Sequence, residues 1–233
     1  MNKLLLHISL LFIFLLIGNS NINAQTFEEL SIEEQKHFFE GYWKYCSTDR
    51  DTIFIIKLKS FDNEENGRHL NIGSYLYYNN GMIENNIERL TRYLSVRNCA
   101  EYEVIDKEAD KYYRERDEGL SLSMFFGSWR YDDAHGMFYD YTQKHATGDV
   151  TLSVVSAQKR KEKIHWDLKI EACFLFVFSE EDAIRQTTFS VPTNIVMEKM
   201  YDLSEFEDKG IFLSPFPTET LPGLKEEKPA RLE

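Results

Sequence analysis

The sequence predicts an all-β protein, an antiparallel barrel or sandwich of about nine or ten strands with a short N-terminal helix. Three observations predict this class. Apolar and polar residues alternate with a period of two in several runs after residue 50. Turn residues, above all Asn80-Gly81, separate such runs. Helix-start signals stand before residue 41, ahead of the alternating runs.

The predicted helix begins at Ser31-Ile32-Glu33-Glu34, which has the residues of a capping box. The hydroxyl of Ser31 can accept from the amide of Glu34, whose carboxylate can reach back to the amide of Ser31. We expect the helix to run to about Glu40 and to end at Gly41, because glycine tolerates the left-handed conformation that ends many helices. Trp43 then enters the first strand.

Several runs of residues after the helix are predicted strands. Residues 54–59 alternate with one face on a core. Residues 70–78 and 82–90 form a hairpin around Asn80-Gly81, because both turn residues accept a positive φ. In residues 164–170 the apolar side chains face one way, and His165, Asp167 and Lys169 face the other. Further strands are expected at 122–131, 138–141, 150–156, 173–178 and 187–191.

A seven-residue pattern occurs twice, as Phe-x-Gly-x-Trp-(Lys/Arg)-Tyr, at residues 39–45 and 125–131. We expect both copies to open a strand with a buried Trp43 or Trp129. Gly41 and Gly127 would allow a neighbouring backbone to approach closely. The pattern favours an internal duplication or two equivalent corners of one β-architecture, and it carries no chemistry.

The chain divides into three predicted parts. Residues 1–24 resemble a cleaved signal peptide, with Lys3 before an apolar stretch and cleavage after Ala24. A membrane anchor is the alternative, but it would need about 20 apolar residues, more than this stretch supplies. Residues 25–202 form a single β-rich domain that could comprise two related halves, 38–105 and 121–202. Residues 203–233 form a largely flexible C-terminal extension, because four of the five prolines lie there and little apolar content follows Leu224. The predicted location is exported, either periplasmic or secreted.

The composition limits the partners. The formal net charge is −12 and the chain has no basic cluster, which argues against nucleic acid and against an anionic membrane surface. The longest apolar run after the signal, residues 172–178, has the length of a strand, so no membrane insertion is expected after signal removal. The three cysteines are too widely spaced for a short-loop zinc motif, and the sequence leaves any disulfide pairing open among Cys46, Cys99 and Cys173.

The sequence contains no nucleophile elbow, phosphate-binding glycine loop or His-Glu-x-x-His motif. Residues 62–67 begin like a calcium loop, but Gly73 stands where a bidentate Glu is needed, which favours a solvated turn. Asp132, Asp133 and His135 could supply an acid, a base or metal oxygens, yet they fit an ordinary surface turn. His165 and Asp167 face either a barrel lumen or water. We therefore assign no catalytic, cofactor-binding or metal residues and expect no cofactor.

Several short motifs carry a resemblance to a known family. They are Gly41-x-Trp43, residues 73–81 (Gly-Ser-Tyr-Leu-Tyr-Tyr-Asn-Asn-Gly), residues 148–152, residues 165–168 and residues 189–200. In this order they resemble an uncharacterised family of exported proteins typical of Bacteroidota, whose members have no assigned activity. The helix followed by Gly-x-Trp is also similar to the opening of lipocalin-type barrels, in which the Trp packs across the closed end. The second copy at Trp129 departs from that pattern.

Three functions are compatible with these features. The leading hypothesis is an exported, non-enzymatic β-barrel-like protein that binds a small apolar molecule or another exported protein. The second is a hydrolase of envelope polymers that uses Asp132, Asp133, His135 or Asp167, which would have to converge in one concave pocket. The third is a purely structural or interaction protein, recognisable by an exposed apolar patch.

Overall fold

A computed structural model describes residues 26–85, 87, 90, 124–128, 130–140, 146–170 and 189–215. Within these residues, nine strands and very little helix confirm the predicted all-β class. One short α-helix, α1, spans Ile32–Lys36, and 3₁₀ turns span Phe27–Glu29 and Glu207–Lys209. The strands are β1 Gly41–Cys46, β2 Thr52–Asn63, β3 Arg68–Asn79, β4 Met82–Asn85, β5 Met124–Ser128, β6 Asp133–Asp140, β7 Ala146–Ser156, β8 Lys163–Ile170 and β9 Asn194–Met200.

Eight of these strands close into an antiparallel barrel. They follow the order β2-β1-β9-β8-β7-β6-β5-β3, and β3 pairs with β2 to close the ring. The β2–β3 pair runs over the full length of both strands, from Thr52 opposite Asn79 to Asn63 opposite Arg68. The ninth strand, β4, lies outside the ring and pairs with the last part of β3. Closure leaves the eight barrel strands without an unpaired edge.

α1 lies near one end of the barrel, which we call the helix end; the opposite end is the open end. The predicted capping box is confirmed, with the Glu34 amide donating to Ser31 Oγ at 3.3 Å and the Ser31 amide donating to Glu34 Oε2 at 3.0 Å. The helix ends at Lys36 rather than near Glu40. Residues 37–39 form a turn, in which Phe38 and Phe39 are both buried.

The Asn80-Gly81 hairpin is confirmed, with φ of 48° at Asn80 and 87° at Gly81. Its second strand is shorter than predicted, because β4 ends at Asn85 and residues 87 and 90 are helical. The predicted strand at 187–191 is wrong over its described part. There the amide and hydroxyl of Ser190 donate to the Asp140 carboxylate instead of pairing with a neighbouring strand.

The two copies of the repeated pattern occupy different positions. Gly41 begins β1, so the first copy opens a strand as predicted, whereas β5 ends at Ser128 and the second copy closes a strand. Gly41 has a φ of 120°, and Gly127 has no positive φ. The expectation of two equivalent corners is therefore wrong. Trp129 lies outside the described residues, so its burial stays a prediction.

The core has two layers. The larger cluster fills the barrel interior with the inward side chains of all eight strands. The second lies on the outer surface of β1, β2 and β3, where residues 203–213 cover it. The first part of the extension expected to be flexible is thus packed on the barrel. Residues 1–25, 91–123, 171–188 and 216–233, which include Cys99 and Cys173, lie outside the described residues. Cys46 is a free thiol.

Candidate functional site

Aromatic side chains from opposite walls meet in the middle of the barrel. Trp166 of β8 contacts Phe54 of β2 and Phe138 of β6, with ring centroids 5.3 and 5.4 Å apart. Tyr75 of β3 packs against Phe138 at 5.2 Å. These four side chains are fully buried, and the Trp166 pairs have the edge-to-face geometry that aromatic rings favour. The described side chains fill the lumen at this level, as is usual for small barrels.

Trp43 seals the helix end. Its indole Nε1 donates to the carbonyl of Phe39 at 2.7 Å, and its ring is fully buried. Lys199 lies with Nζ 5.1 Å from the Trp43 ring centre and donates to the carbonyl of Phe38 at 2.8 Å. Burial lowers the pKa of Lys199, because it disfavours the ammonium form. This end therefore resembles a closed barrel end more than a ligand entrance.

The open end has a different lining. We call the four buried rings of Trp166, Phe54, Phe138 and Tyr75 the aromatic layer. Tyr45, Tyr77 and Phe189 are half-buried and pack against this layer and the core around it. Beside them Asp140 is fully buried and accepts hydrogen bonds from the Ser190 amide at 2.6 Å and the Ser190 hydroxyl at 2.8 Å. Burial, and then the charge of Asp140, raise the pKa of Tyr77. Aromatic edges and one anchored carboxylate thus share this end of the lumen.

The residues of the predicted turn are held by ordinary surface contacts. The guanidinium of Arg130 forms a bidentate pair with Asp132, with Nε 2.9 Å from Oδ1. Asp133 accepts from the Ser128 hydroxyl at 2.9 Å. His135 is exposed, with Nδ1 3.2 Å from Thr151 Oγ1 and Nε2 3.4 Å from Asp133 Oδ2.

The strand register places the predicted candidates on one outer face. His135, Thr151, Asp167 and Asn194 are successive cross-strand partners on β6, β7, β8 and β9. Ile164, Trp166 and Leu168 point inward, so His165 and Asp167 point away from the lumen. Two strand spacings, about 10 Å, separate His135 from Asp167. The structure brings these residues onto one surface and does not gather them into one concave site.

Asp167 is paired within this face. Lys169 Nζ lies 2.6 Å from its Oδ2, and Asn194 Nδ2 donates to its Oδ1 at 3.3 Å. The hydrogen bond from Lys169 is the first cause that lowers the pKa of Asp167. A carboxylate held in its charged form suits a surface ion pair better than a general acid.

Sequence reasoning missed a buried polar group at the helix end. His69 is 4% exposed and stacks on Tyr131 with ring centroids 4.6 Å apart. Neither ring nitrogen has a hydrogen-bond partner among the described residues. Burial lowers the pKa of His69, and the charges of Asp62 and Asp133 oppose this shift. No local motif marks His69, because its neighbours come from other strands.

Asp62 shows why residues 62–67 are not a calcium loop: Asp62 and Asn63 end β2, and residues 64–67 form the turn to β3. Its Oδ2 lies 3.2 Å from Lys36 Nζ, and its Oδ1 accepts from the Tyr131 hydroxyl at 3.2 Å. The carboxylate that would open a calcium loop is therefore bound to a lysine and a tyrosine. Across the part of the chain that the structure describes, no group of three or more His, Cys, Asp or Glu side chains could hold a metal ion.

A cleft of about 480 Å³ lies between the N-terminal 3₁₀ turn, the β5–β6 turn and the end of β7. Asp132 and Asp133 lie in its wall, and the Asp132 carboxylate there is already paired with Arg130. The other lining residues are Thr26, Phe27, Glu28, Ser153, Val154, Val155, Ser156 and Ala157.

Among the described residues no helix is both long and apolar enough to cross a membrane.

Fold and site together define a closed, eight-stranded antiparallel barrel with one additional strand and a filled middle. The chain belongs to a family of unknown function, DUF6705, whose sequence pattern matches residues 1–200. This confirms the resemblance to an uncharacterised family. No curated protein matches the chain, and no solved structure does.

Proposed function

We propose that this protein is an exported, non-enzymatic barrel that binds a small apolar molecule at its open end. The observation that carries the proposal is the half-buried set Tyr45, Tyr77 and Phe189 above the filled aromatic layer. Aromatic rings offer large apolar area together with a polar edge, which suits a concave ligand site.

The topology supports the open end as the entrance. The connection between β4 and β5 and the connection between β8 and β9 are the longest in the barrel domain, and β5 and β9 both begin at this end. Long connections commonly carry the binding residues of a rigid barrel. The turns at the helix end, such as the one between β2 and β3, are short.

The depth of the site follows from the packing. Trp166, Phe54 and Phe138 meet across the lumen, so a ligand would rest on this layer and would not pass below it. A compact molecule with an apolar body fits such a shallow site. Its polar group, where it has one, would lie toward the Tyr77 hydroxyl and Asp140.

Two features support the non-enzymatic part of the proposal. Asp132 is paired with Arg130, and His135 and Asp167 lie on an exposed outer face, two strands apart. General acid–base catalysis needs its groups within hydrogen-bond reach of one substrate. The predicted signal at residues 1–24 supports export.

The test is a titration of the exported form with the neutral apolar dye N-phenyl-1-naphthylamine, followed by its fluorescence. We expect Tyr77→Ala to weaken dye binding by about tenfold, the equivalent of about 1.4 kcal/mol of lost aromatic contact. Tyr201→Ala is the matched control, because Tyr201 is 56% exposed beyond β9 at the helix end.

The controls make the result decisive. Phe189→Ala is the second variant, in case Tyr77→Ala lowers stability, and near-ultraviolet circular dichroism verifies that each variant is folded. Equal dye affinity in the wild type and in the folded open-end variants would overturn the proposed ligand site.

A further inference from the structure

The segment 203–214, which we call the C-terminal segment, is held on the outside of the barrel by two anchors. Phe206 and Ile211 are each 1% exposed. Gly210 adopts a φ of 76°, which turns the chain so that the Ile211 amide donates to the Phe206 carbonyl at 3.2 Å. The turn places both apolar side chains against the same surface. Phe212, which directly follows Ile211, is 69% exposed.

The anchors occupy an apolar groove. Its floor consists of outward-facing side chains of β1, β2, β3 and β9, which are buried beneath the C-terminal segment and residue 87. The segment contributes no strand to the sheet within the described residues, so side chains and single hydrogen bonds hold it. The floor residues are Tyr42, Ile53, Ile55, Leu76, Tyr78 and Met200.

The rim of the groove is cationic and the segment is acidic. Lys44 forms an ion pair with Glu205, and Arg50 forms one with Asp208 at 3.0 Å. The same two cations lie 5.6 and 5.5 Å from the ring centre of Phe206. Each of the two cations thus contacts both the Phe206 ring and a carboxylate within two residues of it.

Backbone contacts complete the recognition at the other end of the groove. The Tyr42 hydroxyl donates to the carbonyl of Ser214 at 2.6 Å, and Lys57 Nζ lies 3.5 Å from the same oxygen. A main-chain carbonyl is present in every polypeptide. This part of the groove therefore fits a peptide without demanding a particular side chain.

The family boundary separates the groove from its cover. The matched region ends at residue 200, the last residue of β9, so all the floor residues lie inside it and the C-terminal segment lies outside it. The apolar floor belongs to the barrel domain that defines the family. The C-terminal segment that covers this floor follows the matched region.

We propose that this groove is a peptide-docking site that the C-terminal segment occupies in cis. Its partner is an extended segment of another exported polypeptide with an acidic residue directly before an aromatic one and a second apolar residue five positions later. Binding in trans requires the C-terminal segment to leave the groove. This surface is separate from the open end, so the proposal does not depend on the apolar ligand.

The test uses the full exported chain and a fluorescent peptide with the sequence of residues 203–214, followed by anisotropy. A short tether gives the cis segment an effective concentration on the order of millimolar, so the wild type should bind the peptide weakly. The variant Phe206→Ser with Ile211→Ser loses both anchors. We expect it to bind the peptide at least about tenfold more tightly than the wild type, because the cis competitor is gone.

Phe212→Ser is the matched control, because it changes an exposed aromatic residue of the same segment. It should bind the peptide as weakly as the wild type. A peptide that carries the two serine substitutions should not bind. A peptide with Glu205→Lys and Asp208→Lys should bind at least about tenfold less tightly, since its charges meet Lys44 and Arg50.

Near-ultraviolet circular dichroism verifies that the double-serine variant is folded; if it is not, Glu205→Ala with Asp208→Ala releases the segment without touching the apolar anchors. A folded release variant that binds the peptide no more tightly than the wild type would overturn the docking site. Light scattering separates one further outcome. A wild-type dimer that exchanges its C-terminal segments would overturn the assignment to a different partner.

Discussion

Trp43 connects the sequence to the closed end of the barrel at the scale of one residue. Its indole donates to Phe39, Lys199 covers its ring, and Phe38 packs beside it with ring centroids 5.7 Å apart. Trp43 is therefore fully buried, hydrogen-bonded and in contact with a cation. The sequence pattern pointed to this residue, and it could not identify Lys199 as its partner, because that lysine is distant along the chain.

We expect Trp43→Ala to lower the free energy of unfolding by about 3–5 kcal/mol, the range for truncating a large core aromatic residue. Urea denaturation followed by circular dichroism measures the change. Val196→Ala, at a site 45% exposed, is the control and should stay within about 0.5 kcal/mol. A loss below about 1 kcal/mol at Trp43 would contradict its role in the core.

His69 gives a prediction for pH. Its pKa is lowered in the folded state, so between that pKa and the unfolded value of about 6.5 the unfolded chain binds more protons. Stability therefore rises with pH through this window and is lost as the pH falls below about 6.5. Asp62, which is paired with Lys36, and Asp133 attract the imidazolium and reduce this loss without reversing it.

The measurement compares urea denaturation of the wild type and His69→Phe at pH 7 and pH 5. Phe keeps the ring that stacks on Tyr131 and removes the titration and both unpartnered nitrogen atoms. We expect the variant to lose less stability than the wild type on acidification, and to be at least as stable at pH 7. An identical loss in both proteins would refute the assignment to His69.

At the scale of elements, local signals were most reliable where the backbone itself is constrained. The capping box of α1 and the Asn80-Gly81 turn were predicted from four and two residues, because caps and tight turns depend on neighbours in sequence. Element ends were less predictable. α1 stops at Lys36, before the buried Phe38 and Phe39, and β4 stops at Asn85, before a helical residue at 87.

The packing of β5 against β6 gives a matched pair of glycine substitutions. A Cβ at Gly136 would lie 1.8 Å from the Phe125 carbonyl oxygen, whereas at Gly127 the nearest atom would be Arg68 Nη2 at 3.6 Å. We expect Gly136→Ala to destabilise the protein by about 1–3 kcal/mol or more, because a backbone must move. Gly127→Ala should be neutral or slightly stabilising, since alanine loses less entropy on folding.

Thermal unfolding of the two variants provides the measurement. Neither glycine has a positive φ, so the comparison isolates the steric contact from backbone strain. Equal melting temperatures for the two variants would show that β5 and β6 are not in the close contact described.

At the scale of the whole molecule, location is the prediction that the barrel does not address. We expect protein recovered from the exported fraction to begin at Gln25, because Ala24 ends the polar exit of the predicted signal. Intact-mass spectrometry measures this directly. A variant with Ala24→Pro, which should block cleavage, is the control. An exported protein that retains Met1 to Ala24 would contradict the prediction.

The sequence by itself determined the all-β class, the first helix turn, the hairpin and the burial of Trp43. These features depend on residue period, caps and turn geometry, which are local. The tertiary structure decided which face of β8 points inward and placed His69 between Asp62 and Asp133. It also made the two copies of the repeat unequal and set the C-terminal segment on the outer groove. These outcomes depend on β9 meeting β1 and β5 meeting β3, because barrel closure brings together residues whose separation in sequence carries no signal of contact.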